Sequence, residues 1–256
     1  TARLFAQENY RVILAARRAE RLQNLADEIR AAGGQALPVP MDVGRLEDVR
    51  GLVSATQDRY GQIDVLFNNA GFGRLDFLEE LDPVADIEAQ LRVNVLGVVQ
   101  TAQAVLPHMI ARRSGHIINM SSVAGFIGTP TYSIYAASKF AVRGFSEALR
   151  REVGVYGIHV SGIYPGGTST EFAGLARIRR KTGQTTPAFL RLEAGDVARA
   201  VMGLVRHPRR TLILPRPMLL GVWANALFPG LVDWLIERRF TRPERADQFV
   251  RQRRDR

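Results

Sequence analysis

Tyr135 and Lys139 stand four residues apart near the start of a helical pattern over about 133–155. On an α-helix, positions i and i+4 share one face. A free phenol, with a pKa near ~10, is a poor acid–base group at neutral pH. An adjacent ammonium favours the phenolate and lowers that pKa. This makes tyrosine a usable general acid or base. Six tyrosines and two lysines, Lys139 and Lys181, leave room for a chance surface pair, so the surroundings decide.

Those surroundings alternate between two periods. Short apolar runs occur at 11–16 (RVILAA), 35–41 (QALPVPM), 63–67 (IDVLF), 116–120 (HIINM), 158–164 (IHVSGIY) and 211–214 (TLIL). Helical patterns at about 19–32, 45–60, 84–111, 133–155 and 195–206 separate them. Strand–helix alternation of this kind predicts a parallel sheet covered by helices on both faces. Its strands are buried on both sides and read as continuous apolar runs. In such sheets ligands bind beyond the carboxyl ends of the strands. The residues found there are Arg17 and Arg18, Asp42 and Val43, Asn68 to Gly71, Ser121 and Ser122, and Pro165 to Gly167. Each group is polar, small or glycine-rich, which core packing alone does not require.

Composition narrows the classes. The chain has 256 residues, 46% hydrophobic, which is ample for a packed core. No cysteine is present, which removes disulfide scaffolds, thiol nucleophiles and cysteine-bound zinc. The four histidines (108, 116, 159 and 207) do not cluster at metal-binding spacing, so no metal site is expected. The net charge of +10 comes from arginines spread over most of the chain, denser at 206–216 and 238–256. A nucleic-acid partner is not expected from so even a spread. No GxSxG, HExxH or Walker A pattern occurs.

Taken together, NNAG at 68–71, Asn94, IINMSS at 117–122, YAASK at 135–139 and PGG at 165–167 resemble the short-chain dehydrogenase/reductase family in order and spacing. The resemblance covers roughly 1–216. It implies an α/β, Rossmann-like, doubly wound parallel sheet in a single domain, with 217–256 as a C-terminal helical extension. It also implies an NADP(H)-dependent oxidoreductase that interconverts a secondary alcohol and a ketone. Tyr135 would be the acid, and Lys139 would lower its pKa and bind the nicotinamide ribose. Ser122 would hold the substrate oxygen, and Asn94 would hold a water linking Lys139 to solvent. Asn69, Ala70 and Gly71 would line the cofactor channel, Pro165 and Gly166 would face the nicotinamide, and Asp42 with Val43 would lie at the adenine. An NAD enzyme usually carries an acid after the 11–16 strand, whereas an arginine suits a 2′-phosphate. Arg17 follows that strand and no acid occurs before Glu20, so NADP(H) is the expected cofactor. The expected partners are a small-molecule carbonyl or alcohol and further copies of the chain, as a homodimer or homotetramer. The cytoplasm is the expected location.

One feature departs from the family. Its first strand and TGxxxGxG loop, which cradles the pyrophosphate at a helix N-terminus, have no counterpart in this sequence. The chain opens inside a helical pattern (Ala2, Leu4, Phe5, Ala6) and is expected to be a fragment of a functional parent. The missing strand would fall between those at 11–16 and 63–67, leaving two unpaired edges. The alternative is a scaffold or binding protein on the same fold that has lost cofactor binding.

Pro217–Val232 is sixteen residues without a charge, contains Trp223, and is flanked by arginines. It is too short for a span of about 20 residues. Short helices with an apolar face are expected over 217–239. They would serve as a pocket lid, a subunit contact or a peripheral membrane contact. Phe172, Leu175, Ile178, Phe189 and Leu190 point to a lipophilic substrate.

Overall fold

The computed structural model describes residues 1–176 and 186–246. Its strands are β1 (Arg11–Ala16), β2 (Gln35–Pro40), β3 (Val65–Asn68), β4 (Gly115–Met120), β5 (Ile158–Pro165), the short β6 (Thr168–Ser169) and β7 (Leu192–Glu193), and β8 (Thr211–Leu214). Its helices are α1 (Ala2–Gln7), α2 (Ala19–Ala31), α3 (Leu46–Tyr60), α4 (Pro83–Arg112), α5 (Ser133–Val153), α6 (Glu171–Leu175), α7 (Ala194–Arg206), α8 (Met218–Leu227) and α9 (Pro229–Ile236). The fold is the α/β, Rossmann-like parallel sheet expected.

Strands β3, β4, β5 and β8 pair in that order, all parallel. Along β4, Ile117 and Ile118 are both fully buried and face opposite sides, as strand alternation requires. Ile117 packs with Ala102, Val105 and Met109 of α4 and with Leu149 and Val153 of α5. Ile118 packs with Phe5, Ile163, Val201 and Leu204 on the other side. β1 and β2 form a separate parallel pair, buried against Leu22, Ala26 and Ile29 of α2. Val12 of β1 and Val65 and Phe67 of β3 border one core around Phe5, yet no ladder joins β1 to β3 among the described residues. The sheet is thus divided between β1 and β3.

Two helices position the site. The buried stripe of α5 reads Tyr135, Ser138, Lys139, Val142, Ser146, Leu149 and Val153, spaced three or four apart. Burial of Val142, Leu149 and Val153 fixes the rotation of the helix, and that rotation turns Tyr135 and Lys139 inward. Helix α4 begins at Pro83, with the Asp82 carboxylate accepting from Val84 N and Ala85 N at 2.9 and 2.6 Å. Among the described residues it is the one unbroken helix long and apolar enough to cross a membrane, but its apolar side lines the core. Its stretch Arg92–Leu96 is π-helical, a widened turn that often marks functional positions, and it carries Asn94.

β3 starts at Val65 and ends at Asn68, one residue beyond the expected run. Alternation then buries Asn68 and exposes Asn69. Beyond β8, α8 and α9 are the short helices expected for this segment. α8 rests on the body through Met218, Leu219 and Val222, against Tyr164, Ile213 and Phe126.

Candidate active site

Ser122 follows β4 and caps a tight turn, Val123–Gly125, accepting from Ala124 N at 3.2 Å. The turn presses on α5: a Cβ at Gly125 would stand 2.8 Å from the Lys139 carbonyl oxygen, so only glycine allows this approach. Ser121 Oγ donates to the same carbonyl at 3.0 Å. The end of β4 and the start of α5 are thereby locked together. The Ser122 hydroxyl stands near enough to the Tyr135 phenol to favour the phenolate. Ser122 Oγ also donates to the Pro165 carbonyl, a long contact of 3.3 Å.

Lys139 is buried, and its ammonium donates to the Met120 carbonyl at 3.1 Å. It lies 5.6 Å from the centre of the Tyr135 ring. Burial depresses its pKa to about 8. Any lowering of the Tyr135 pKa by Lys139 is outweighed in this geometry. Burial pushes the phenol well above its ordinary range, Ser122 offsets this only in part, and Tyr132 adds to the rise. Desolvation of the phenolate is the dominant effect.

Asn94 is fully buried and clasps the backbone of Phe72, accepting from its N–H at 3.0 Å and donating to its carbonyl at 2.8 Å. It also donates to Ser138 Oγ at 3.1 Å. The clasp fixes the loop after β3, whose Gly71 borders both Asn94 and Lys139: a Cβ there would lie 3.1 Å from Asn94 Oδ1 and 3.5 Å from Lys139 Nζ. The structure therefore brings Gly71, Asn94, Ser122, Tyr135, Lys139 and Pro165 together. Asn69 and Ala70 are exposed on the same loop, and Gly166 donates from its N–H to the Leu214 carbonyl at 2.7 Å.

The remaining expected positions lie farther off, at the ends of β1 and β2. Asp42 accepts from Gly44 N at 2.9 Å, and Val43 packs against Gly97, one turn past Asn94. Arg17 is exposed and makes no ion pair among the described residues. Its neighbour Arg18, with Arg21, pairs with Glu171 of α6 at 3.4 and 2.9 Å. No cluster of potential metal ligands occurs among the described residues.

Of the apolar candidates, Phe172 stands at the site, 5.4 Å from the Tyr135 ring centre. Phe189 does not: it is 83% exposed. Leu190 is half-buried, while Ile178 and the side chain of Leu175 lie outside the described residues. Leu75 and Tyr132, both packed with Tyr135, escaped the sequence reading because a loop leucine and a loop tyrosine carry no periodic signal. Asn119 also escaped it: inside an apolar strand it accepts from Asn68 at 2.9 Å and donates to Ser146 at 2.8 Å.

The profile of the short chain dehydrogenase family matches residues 1–181. An oxidoreductase of Botryotinia fuckeliana is 40% identical over 163 residues, 64% of this chain and 58% of that protein's length. A short chain dehydrogenase/reductase from Burkholderia phymatum, solved in complex with NAD, superposes with a TM-score of 0.77 at 29% identity, covering 86% of this chain and 85% of its own. A gluconate 5-dehydrogenase from Burkholderia cenocepacia, in complex with NADP and tartrate, gives 0.72 at 31% identity, covering 83% and 87%.

Proposed function

The chain belongs to the short chain dehydrogenase family, and we propose that it is an NADP(H)-dependent oxidoreductase interconverting a lipophilic secondary alcohol and ketone. The observation that carries this is the buried Tyr135 phenol, faced by the Ser122 hydroxyl and backed by the Lys139 ammonium. A phenol held protonated by burial is ready to give its Oη proton to a carbonyl oxygen. Ser122 Oγ, whose contact to Pro165 is long, has little to give up in turning its hydrogen toward the same oxygen. The phenolate left behind is stabilised by the Lys139 charge. Phe172 and Leu75 supply an apolar wall beside the phenol.

The Lys139 ammonium has three hydrogens and, among the described residues, one acceptor, Met120 O. A buried cation with spare donors, bordered by a glycine, fits the hydroxyls of a nicotinamide ribose. When bound, the nicotinamide supplies or accepts the hydride. Lys139, Gly71 and Pro165 would hold that end, and Arg17 would hold the 2′-phosphate. The sequence offers no TGxxxGxG loop for the pyrophosphate. The second reading is a binding protein on the same fold without turnover; no ladder joins β1 to β3 among the described residues. Titration with NADPH and assay of its consumption with a panel of ketones separates the two. Binding with turnover supports the enzyme, and a failure to bind supports the scaffold.

A further inference from the structure

The C-terminal helices turn a set of large apolar side chains outward. On α8, Met218, Leu219 and Val222 pack on the body, and Asn225 Nδ2 donates to the Phe126 carbonyl at 3.4 Å. The opposite face carries Leu220, Trp223 and Leu227, which are 68%, 60% and 71% exposed. Their spacing of three and four residues makes one stripe. On α9, Leu231, Trp234 and Leu235 form a second stripe, 57%, 51% and 43% exposed, with Phe228 at the joint. So many exposed large apolar side chains in one segment mark an interaction surface.

The charge around the stripes identifies what covers them. Between Arg206 and Arg242 the sequence has seven arginines and two acids, Asp233 and Glu237. Arg209, Arg210, Arg216, Arg238 and Arg242 are exposed. The Arg238 guanidinium lies 5.4 Å from the Trp234 ring centre, a basic group beside an apolar anchor. A second copy docked by a two-fold contact would bring this arginine-rich patch against a patch of the same net positive sign. An anionic surface would pair with them. A straight span does not fit: α8 is about 15 Å long against a hydrocarbon core of about 30 Å, and α8 meets the following helix, Pro229–Ala246, at a 114° bend.

We propose that residues 217–239 dock the protein on the surface of an anionic phospholipid bilayer. Leu220, Trp223, Leu227, Phe228, Leu231 and Trp234 enter the headgroup boundary, and Arg216 and Arg238 pair with lipid phosphates, while Arg242 is held by Glu237 at 2.9 Å. Apolar burial and charge attraction together are the two signals that stable peripheral binding requires. Tryptophan suits this layer because its ring is apolar and its N–H needs a wet partner. α8 also abuts the turn that Ser122 caps, so docking sets the candidate site beside the lipid.

Trp223 and Trp234 are the only tryptophans, so intrinsic fluorescence reports on this segment alone. The full chain is mixed with phosphatidylcholine vesicles, with and without phosphatidylserine, at low and high salt. The expected result is co-sedimentation and blue-shifted emission with the anionic vesicles, weakened by salt. Replacing Leu220 and Leu231 by serine, both exposed, should reduce binding at least tenfold while leaving the thermal melt unchanged. Replacing Arg216 or Arg238 by alanine should reduce it about fivefold. Unchanged emission without sedimentation would overturn the proposal. So would emission already blue and insensitive to vesicles in a sample whose mass is that of two or more chains, which assigns the face to a second copy. Full binding by the serine variant would overturn it as well.

Discussion

Lys139 and Tyr135 share one face of α5, with the ammonium 5.6 Å from the ring centre, yet the phenol is not made acidic by it. Both groups are buried, and burial disfavours each charged form: the phenolate and the ammonium. The lysine donates to Met120 O instead. The resting site therefore keeps Tyr135 as a neutral donor. Lys139 reduces the cost of the phenolate formed when the proton leaves, but does not outweigh burial.

Tyr135→Phe removes that proton and little else, since the ring packing against Tyr132 and Phe172 is retained. Turnover should fall by about 100-fold or more, the usual contribution of a positioned acid. Cofactor affinity should change little. Ketone-dependent NADPH consumption and cofactor titration measure both, and turnover within a few-fold of the parent would remove Tyr135 from the proposed role.

Lys139→Met should lose turnover and gain stability. The ammonium's pKa falls from 10.5 to about 8 on folding, equivalent to roughly 3 kcal/mol as an upper figure. Between pH 8 and 10.5 the unfolded chain binds a proton that the folded chain does not. Stability of the parent therefore rises with pH across that window. The variant should be more stable at pH 7, and the gap should close as pH climbs from 8 to 10.5. Denaturant titrations at several pH values test this. A gap that ignores pH, or a less stable variant at pH 7, would contradict it.

The proposed site was legible in the sequence wherever residue type and spacing coincide. Tyr135, Lys139 and Ser122 lie where a helix start and a strand end place them, and Asn94 lies inside the long helix expected over 84–111. The resemblance to the family also implied the division between β1 and β3. Three things were not legible. The electrostatic outcome at Tyr135 depends on burial, which a pair of residues at i and i+4 does not report. The double clasp of Asn94 on Phe72 depends on a loop folding back across 22 positions. The outward face of α8 could not be separated from its inward face by hydropathy, because both are apolar and only the contacts of Val222 tell them apart.

His116 provides a test of the β4–β5 register. It is buried on β4, its Nε2 pairs with Ser161 Oγ at 2.8 Å, and the His159 ring stands edge-on at 5.9 Å. Burial and His159 depress its pKa from 6.5 to about 4. Between pH 4 and 6.5 the unfolded state binds a proton that the folded state refuses, so stability falls as pH drops through this window. The loss attributable to His116 should approach about 3 kcal/mol. His116→Gln should flatten that part of the stability–pH curve. Parallel curves for the two proteins between pH 4 and 6.5 would place His116 outside the buried pair.

Arg17 and Glu171 make opposite predictions for cofactor choice. Glu171 holds Arg18 and Arg21, which leaves Arg17 as the arginine after β1 without an ion pair among the described residues. A 2′-phosphate carries about two negative charges near neutral pH and rewards every nearby guanidinium, whereas a 2′-hydroxyl does not. Arg17→Asp removes a partner and adds repulsion, so NADPH affinity should fall about tenfold or more while NADH affinity changes little. Glu171→Gln releases Arg18 and Arg21 toward the same phosphate, so NADPH affinity should rise a few-fold, again with little effect on NADH. Both gains and losses should shrink at high salt, because these side chains are exposed and screened. Fluorescence titration of each variant with both cofactors, at two salt concentrations, reads all of this. Equal losses of NADPH and NADH affinity in Arg17→Asp would show that Arg17 supports the fold of the β1 end and does not read the phosphate.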